Sequence, residues 1–76
     1  MRVLLTGAAG IVGTLVRPLL IERGHTLLSA DLKPIDALEN EVAVRADVCD
    51  PARVDELVVD TDAVIHLASA VGAGFT

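Results

Sequence analysis

Leu5-Thr6-Gly7-Ala8-Ala9-Gly10-Ile11-Val12-Gly13 sets three glycines at three-residue spacing between an apolar run and a segment of helical periodicity. This is the form of a strand-to-helix turn that cradles the phosphates of a dinucleotide. Gly7 makes the sharp turn off the strand, Gly10 lets the backbone approach a pyrophosphate, and Gly13 lets the helix come close to the strand. The positive end of the helix then faces the phosphates. Context decides the reading, because the strand before, the helix after and an acidic residue at the expected distance are all present.

Working outward, Arg2 to Thr6 is a short apolar run ending at glycine, which reads as a buried strand. Val12, Leu15, Val16, Leu19 and Leu20 fall on one face of a helix, which stops at Gly24 and is expected to bend at Pro18. Thr26 to Asp31 is a second apolar strand ending in a carboxylate, and the polar link that follows, as far as Glu41, reads as a loop. Val42 to Ala46 is a third strand. Asp50 and Pro51 then supply the cap and first turn of a short helix carrying Val54, Leu57 and Val58. Ala63 to Leu67 is the fourth strand. This order predicts an α/β fold, the N-terminal part of a doubly wound parallel sheet of the NAD(P)-binding Rossmann type. Strand order 3-2-1-4 would put the two helices on opposite faces and open a crevice between strands 1 and 4, with the glycine turn at its mouth.

Asp31 stands 18 residues beyond Gly13, at the end of the second strand. A carboxylate there accepts hydrogen bonds from the ribose hydroxyls of adenosine and repels the 2′-phosphate of NADP, so the expected cofactor is NAD. The competing use of such an acid is simply to open a turn. Asp47 and Val48 follow the third strand, where adenine would lie. Asp47 is placed to accept from the adenine amino group and Val48 to cover the ring, although an acid in a strand-to-helix loop also has purely local uses. Ala68, small and at the end of the fourth strand, lets a nucleotide sugar lie against the backbone. Ser69 has no base beside it in sequence and reads as a loop hydroxyl. His66 reads as a packed, hydrogen-bonded strand residue and His25 as a surface residue. The Cys and His residues lack ligand spacing, so no metal is expected.

Composition narrows the class. The chain has 76 residues, of which 53% are hydrophobic, and a net charge of −5. A chain this short buries only about 60% of its unfolded surface, so residues 1–76 are expected to be the N-terminal portion of a single longer domain. Acidic residues are spread along the chain and no basic cluster exists, which argues against nucleic acid and anionic membranes as partners. The lone Cys49 has no internal disulfide partner and is expected to be a small buried thiol in a reducing compartment. The apolar run before Gly7 is too short for a signal peptide, and no stretch is long enough for a membrane span. A cytoplasmic location is expected.

Thr6-Gly7-Ala8-Ala9-Gly10-Ile11-Val12-Gly13, Asp31, Ala46-Asp47-Val48 and Val64-Ile65-His66-Leu67-Ala68 together resemble the extended short-chain dehydrogenase/reductase superfamily, and more narrowly the NAD-dependent epimerase/dehydratase family. The resemblance implies that Gly7, Gly10, Ile11, Val12 and Gly13 surround the pyrophosphate and that Asp31 binds the adenosine ribose. It further implies that Asp47 and Val48 hold adenine, and that Leu67, Ala68 and Ser69 line the route to the nicotinamide ribose. Members of the family use a Tyr-x-x-x-Lys pair for proton exchange during hydride transfer. This chain has no tyrosine and its only lysine is Lys33, so the catalytic residues are expected beyond Thr76, as is any homodimer contact. The compact link after Asp31 is similar to that of sugar-acid dehydrogenases more than to that of nucleotide-sugar epimerases. A carbohydrate-like substrate is therefore implied. The alternative is a non-catalytic NAD(P)-binding redox sensor of related fold.

Overall fold

Val3, Leu4 and Leu5 offer water no polar side chain on either face of a strand, and they become the centre of the sheet. The computed structural model describes residues 1–67. The elements are β1 (Arg2–Thr6), α1 (Ile11–Glu22), β2 (Thr26–Asp31), β3 (Glu41–Arg45), α2 (Pro51–Val58) and β4 (Ala63–His66). All pairings are parallel and the order is β3-β2-β1-β4, as the sequence predicts. The register sets Leu5 opposite Ser29, Thr6 opposite His66, and Asp31 opposite Arg45.

Side chains alternate between the faces of a strand, and each face has its own partner. On one face Leu4, Ala30, Ala46 and Leu57 form a buried cluster, with Leu28, Val44, Val48 and Val58 packed against it. Leu57 and Val58 bring α2 to that face. The opposite face carries Ser29 and Glu41 and receives Arg17 of α1. The helices thus lie on opposite faces, which is the doubly wound arrangement expected.

The α1 helix meets the sheet differently from its sequence pattern. Its buried residues are Gly13 and Arg17, whereas Val12, Leu15 and Leu19 of the expected stripe are exposed and Val16 and Leu20 half-buried. Two things turn part of the expected apolar stripe outward. Gly13 must face the backbone it approaches, and Arg17, one turn on, finds a buried carboxylate. The helix begins at Ile11, continues through Pro18, and ends at Glu22 ahead of Gly24. In α2 the cap is as predicted, with Asp50 Oδ1 accepting from the Ala52 N–H at 3.1 Å and Pro51 opening the helix.

Smaller differences follow from local hydrogen bonding. The β3 strand takes in Glu41 and stops at Arg45, one residue earlier than expected at each end. The β4 strand stops at His66, although the Leu67 N–H still donates to the Thr6 carbonyl at 3.0 Å. Residues 32–40 contain neither helix nor strand, in keeping with the predicted loop. Cys49 is exposed rather than buried. It rides on the turn between β3 and α2, where its N–H is held by Asp47 Oδ1 at 2.9 Å. His25 is half-buried instead of superficial, and its Nδ1 is buried with no partner among the described residues. No helix among the described residues is long and apolar enough to cross a membrane.

Candidate functional site

The glycine turn is stitched to its neighbours where the strands end. Gly7 adopts φ 72°, a left-handed conformation that side chains disfavour. Its N–H donates to the Ala30 carbonyl at 2.9 Å, at the end of β2. Ala8 lies against the same carbonyl, and the Ala9 N–H donates to Asp31 Oδ2 at 3.0 Å. The turn is thereby bound to the carboxylate that the sequence assigns to the adenosine ribose.

Gly13 makes a close approach as predicted, but to the backbone of the turn residue Ala8 rather than to β1 itself. A Cβ on this residue would stand 2.7 Å from the Cα and the carbonyl carbon of Ala8, and closer still to the carbonyl oxygen. Only a residue without a side chain lets α1 start there. Gly10 is the N-cap, no side chain caps the helix, and its first turn carries no acid. The first amides of an α-helix have no intrahelical partners, so Ile11, Val12 and Gly13 present donors and the positive end of the dipole at the mouth of the turn. Such an end suits an anion.

Asp31 is half-buried, and each carboxylate oxygen already accepts one backbone N–H, from Ala9 and, at 2.9 Å, from Lys33. An ionised carboxylate has about four lone-pair sites, which leaves capacity for two hydroxyls. The Ala46 N–H donates to the Asp31 carbonyl at 3.1 Å, and this brings Asp47 and Val48 alongside. Asp47 is exposed and spends Oδ1 on the Cys49 N–H. The side chain of Val48 packs toward the α2-side cluster. Leu67 stands at the end of β4, half-buried. Ala68 and Ser69 lie outside the described residues. The structure therefore gathers Gly7, Gly10, Ile11, Val12, Gly13, Asp31, Asp47, Val48 and Leu67 at the carboxyl ends of the strands.

His66 is hydrogen-bonded as predicted, its Nδ1 2.6 Å from the Thr6 hydroxyl, although the residue is exposed. Sequence reasoning missed the group that docks α1. Arg17 donates from Nε to Glu41 Oε2 at 2.7 Å and from Nη2 to Oε1 at 2.6 Å, a bidentate pair. Ser29 donates its hydroxyl to the same carboxylate. The signal was Ser29 itself, a hydroxyl set within the apolar stretch of residues 27–30.

The chain matches the model of the NAD dependent epimerase/dehydratase family over residues 3–76. It is 35% identical over 85 residues to a dTDP-glucose 4,6-dehydratase of Streptomyces niveus, covering 91% of this chain and 25% of that protein. With a uronate dehydrogenase of Pseudomonas putida it shares 39% identity over 67 residues, covering 86% of this chain and 25% of the other. A crystal structure of a mutant uronate dehydrogenase from Agrobacterium tumefaciens, complexed with NAD, superposes with a TM-score of 0.78 at 40% identity, over 87% of this chain and 25% of that one. The chain thus spans about a quarter of the length of these relatives. A family match over nearly every residue, joined to this turn and sheet order, places the chain in the NAD-dependent epimerase/dehydratase family.

Proposed function

We propose that these residues bind NAD across the carboxyl ends of the strands, as the cofactor-binding segment of an NAD-dependent oxidoreductase or epimerase acting on a sugar acid or a nucleotide sugar. One observation carries the reading: the uncapped start of α1 and the Asp31 carboxylate are joined through the Ala9 N–H. A single turn thus presents donors to a pyrophosphate and acceptors to the ribose beside it. Gly7, Gly10, Ile11, Val12 and Gly13 surround the pyrophosphate, Asp31 holds the adenosine ribose, Asp47 and Val48 flank adenine, and Leu67, Ala68 and Ser69 line the way to the nicotinamide ribose. Because Asp31 is anionic, NAD is preferred over NADP.

The bound nicotinamide supplies the hydride chemistry, and these residues orient it. No catalytic residue is assigned within this chain, which has no tyrosine. The sugar-acid reading draws support from the uronate dehydrogenases among the relatives, and their naming as enzymes favours catalysis over a redox sensor. Homodimerisation and a cytoplasmic location belong to the same proposal. Replacing Asp31 with alanine removes charge-assisted hydrogen bonds worth about 1.5–3 kcal/mol, so titration calorimetry should show NAD binding weakened roughly ten- to a hundredfold. An unchanged dissociation constant would overturn the assignment.

A further inference from the structure

We propose that Arg17 and Glu41 are positioning residues for the adenosine half of the cofactor, a role that rests on the NAD reading above. Neither touches the cradle itself. Arg17 lies six residues beyond Ile11 along α1, or about 9 Å from the helix start at the usual rise. Its influence therefore passes through the elements it holds.

Those elements are the ones that build the cradle. The Glu41 side chain is fully buried and that of Arg17 is 11% exposed. Beyond the bidentate pair, Arg17 Nη2 donates to the Asp36 carbonyl at 2.8 Å, and Glu41 Oε1 accepts from the Leu38 N–H at 2.8 Å. Ser29, two residues before Asp31 on the same strand face, donates to Oε2. The helix that aims amides at the phosphates, the strand that carries Asp31, and the link that leaves Asp31 thus converge on one ion pair.

Two features make this grip matter for binding. Gly13 and Arg17 are one turn apart on α1, so the helix is docked at two points, against the Ala8 backbone and against Glu41. The pair thereby helps fix the direction of the helix axis. The link of residues 32–40 has no regular structure. Asp31 holds it near its start through the Lys33 N–H, and Arg17 and Glu41 hold it at Asp36 and Leu38. Releasing those points frees the segment between them, and with it the turn that shapes the ribose carboxylate.

The test is a double-mutant cycle read in affinity for ADP-ribose, measured by calorimetry on the full chain well below the melting midpoint. Arg17→Lys keeps the charge but lacks the planar fork that reaches both carboxylate oxygens and the Asp36 carbonyl. It should weaken ADP-ribose binding by about three- to tenfold, and Arg17→Lys combined with Asp31→Ala should lose clearly less than the product of the two single losses, because the part of the effect that passes through Asp31 is already gone. Wild-type affinity in a folded Arg17→Lys variant, or losses that simply multiply in the double variant, would overturn the proposal. Should the lysine variant not fold, Ser29→Ala, which removes one hydroxyl from the same carboxylate, replaces it with the same two outcomes. An Asp31→Ala variant that binds as wild type would instead overturn the NAD reading itself.

Discussion

Glu41→Ala is expected to destabilise the fold by about 3–5 kcal/mol, the range found when one partner of a buried ion pair is removed. The substitution leaves the Arg17 guanidinium charged and largely buried, and it strips the Leu38 N–H and the Ser29 hydroxyl of their acceptor. Folded domains are stable by only about 5–15 kcal/mol, so a loss of that size is a large share of the total. A urea titration should show the midpoint collapse, and a loss below about 1 kcal/mol would mean that the pair behaves as a solvated one. Replacing both partners with apolar residues of similar volume should cost far less, because no charge is then left alone.

The same carboxylate gives the stability a definite acid limb. Burial pushes the Glu41 carboxyl up, but hydrogen bonds from Arg17, Ser29 and the Leu38 N–H outweigh it and hold the group at about 2, against an ordinary 4.5. The unfolded chain therefore binds this proton more readily than the folded one, and stability rises with pH between the two values. The contribution is complete above the ordinary value and is lost as pH falls through about 2. Melting temperatures of the wild type should drop across that window, and Glu41→Gln should remove this part of the pH dependence.

Gly13→Ala should be the most damaging change in the glycine turn. Its Cβ would sit 2.7 Å from two backbone atoms of Ala8, neither of which can rotate away. Relief requires the start of α1 to move off the turn, with a cost of about 1–3 kcal/mol for overpacking of this kind. The same displacement carries the Ile11 and Val12 amides away from the position proposed for the pyrophosphate, so NAD binding should fall together with stability. Gly10→Ala provides the comparison, since its Cβ would lie 3.3 Å from the Gly7 carbonyl oxygen, a contact eased by a shift of a few tenths of an ångström. Thermal melts that rank alanine at position 10 as the worse of the two would contradict this account.

The parallel sheet, its order and the place of the turn were legible in the sequence because each rests on local chemistry. Val3-Leu4-Leu5 cannot face water on either side, Gly7 ends the strand, and Asp50-Pro51 announces α2. Asp31 could be placed at the turn because a strand of fixed length puts its last residue at the carboxyl edge. The hydrogen bond that ties Asp31 to Ala9 was not legible, since it spans 22 residues of sequence. Cys49 was misjudged on the general habit of free thiols, where the local turn decided exposure.

What the sequence determined by itself was the type of each element and the carboxyl-edge position of Gly7, Gly10, Gly13, Asp31 and Asp47, because strand and helix periods and turn chemistry act between near neighbours. Only the tertiary structure decided which face of α1 turns inward. The apolar pattern favoured Val12, Leu15, Val16, Leu19 and Leu20, yet Gly13 and Arg17 are the residues buried, with Val16 and Leu20 half-buried and the other three exposed. A close backbone approach at Gly13 and a buried carboxylate 24 residues from Arg17 set which side of the helix meets the sheet. The Ala8 backbone is a near neighbour in the turn, but the Glu41 carboxylate does not exist as a partner for the helix until the sheet has formed.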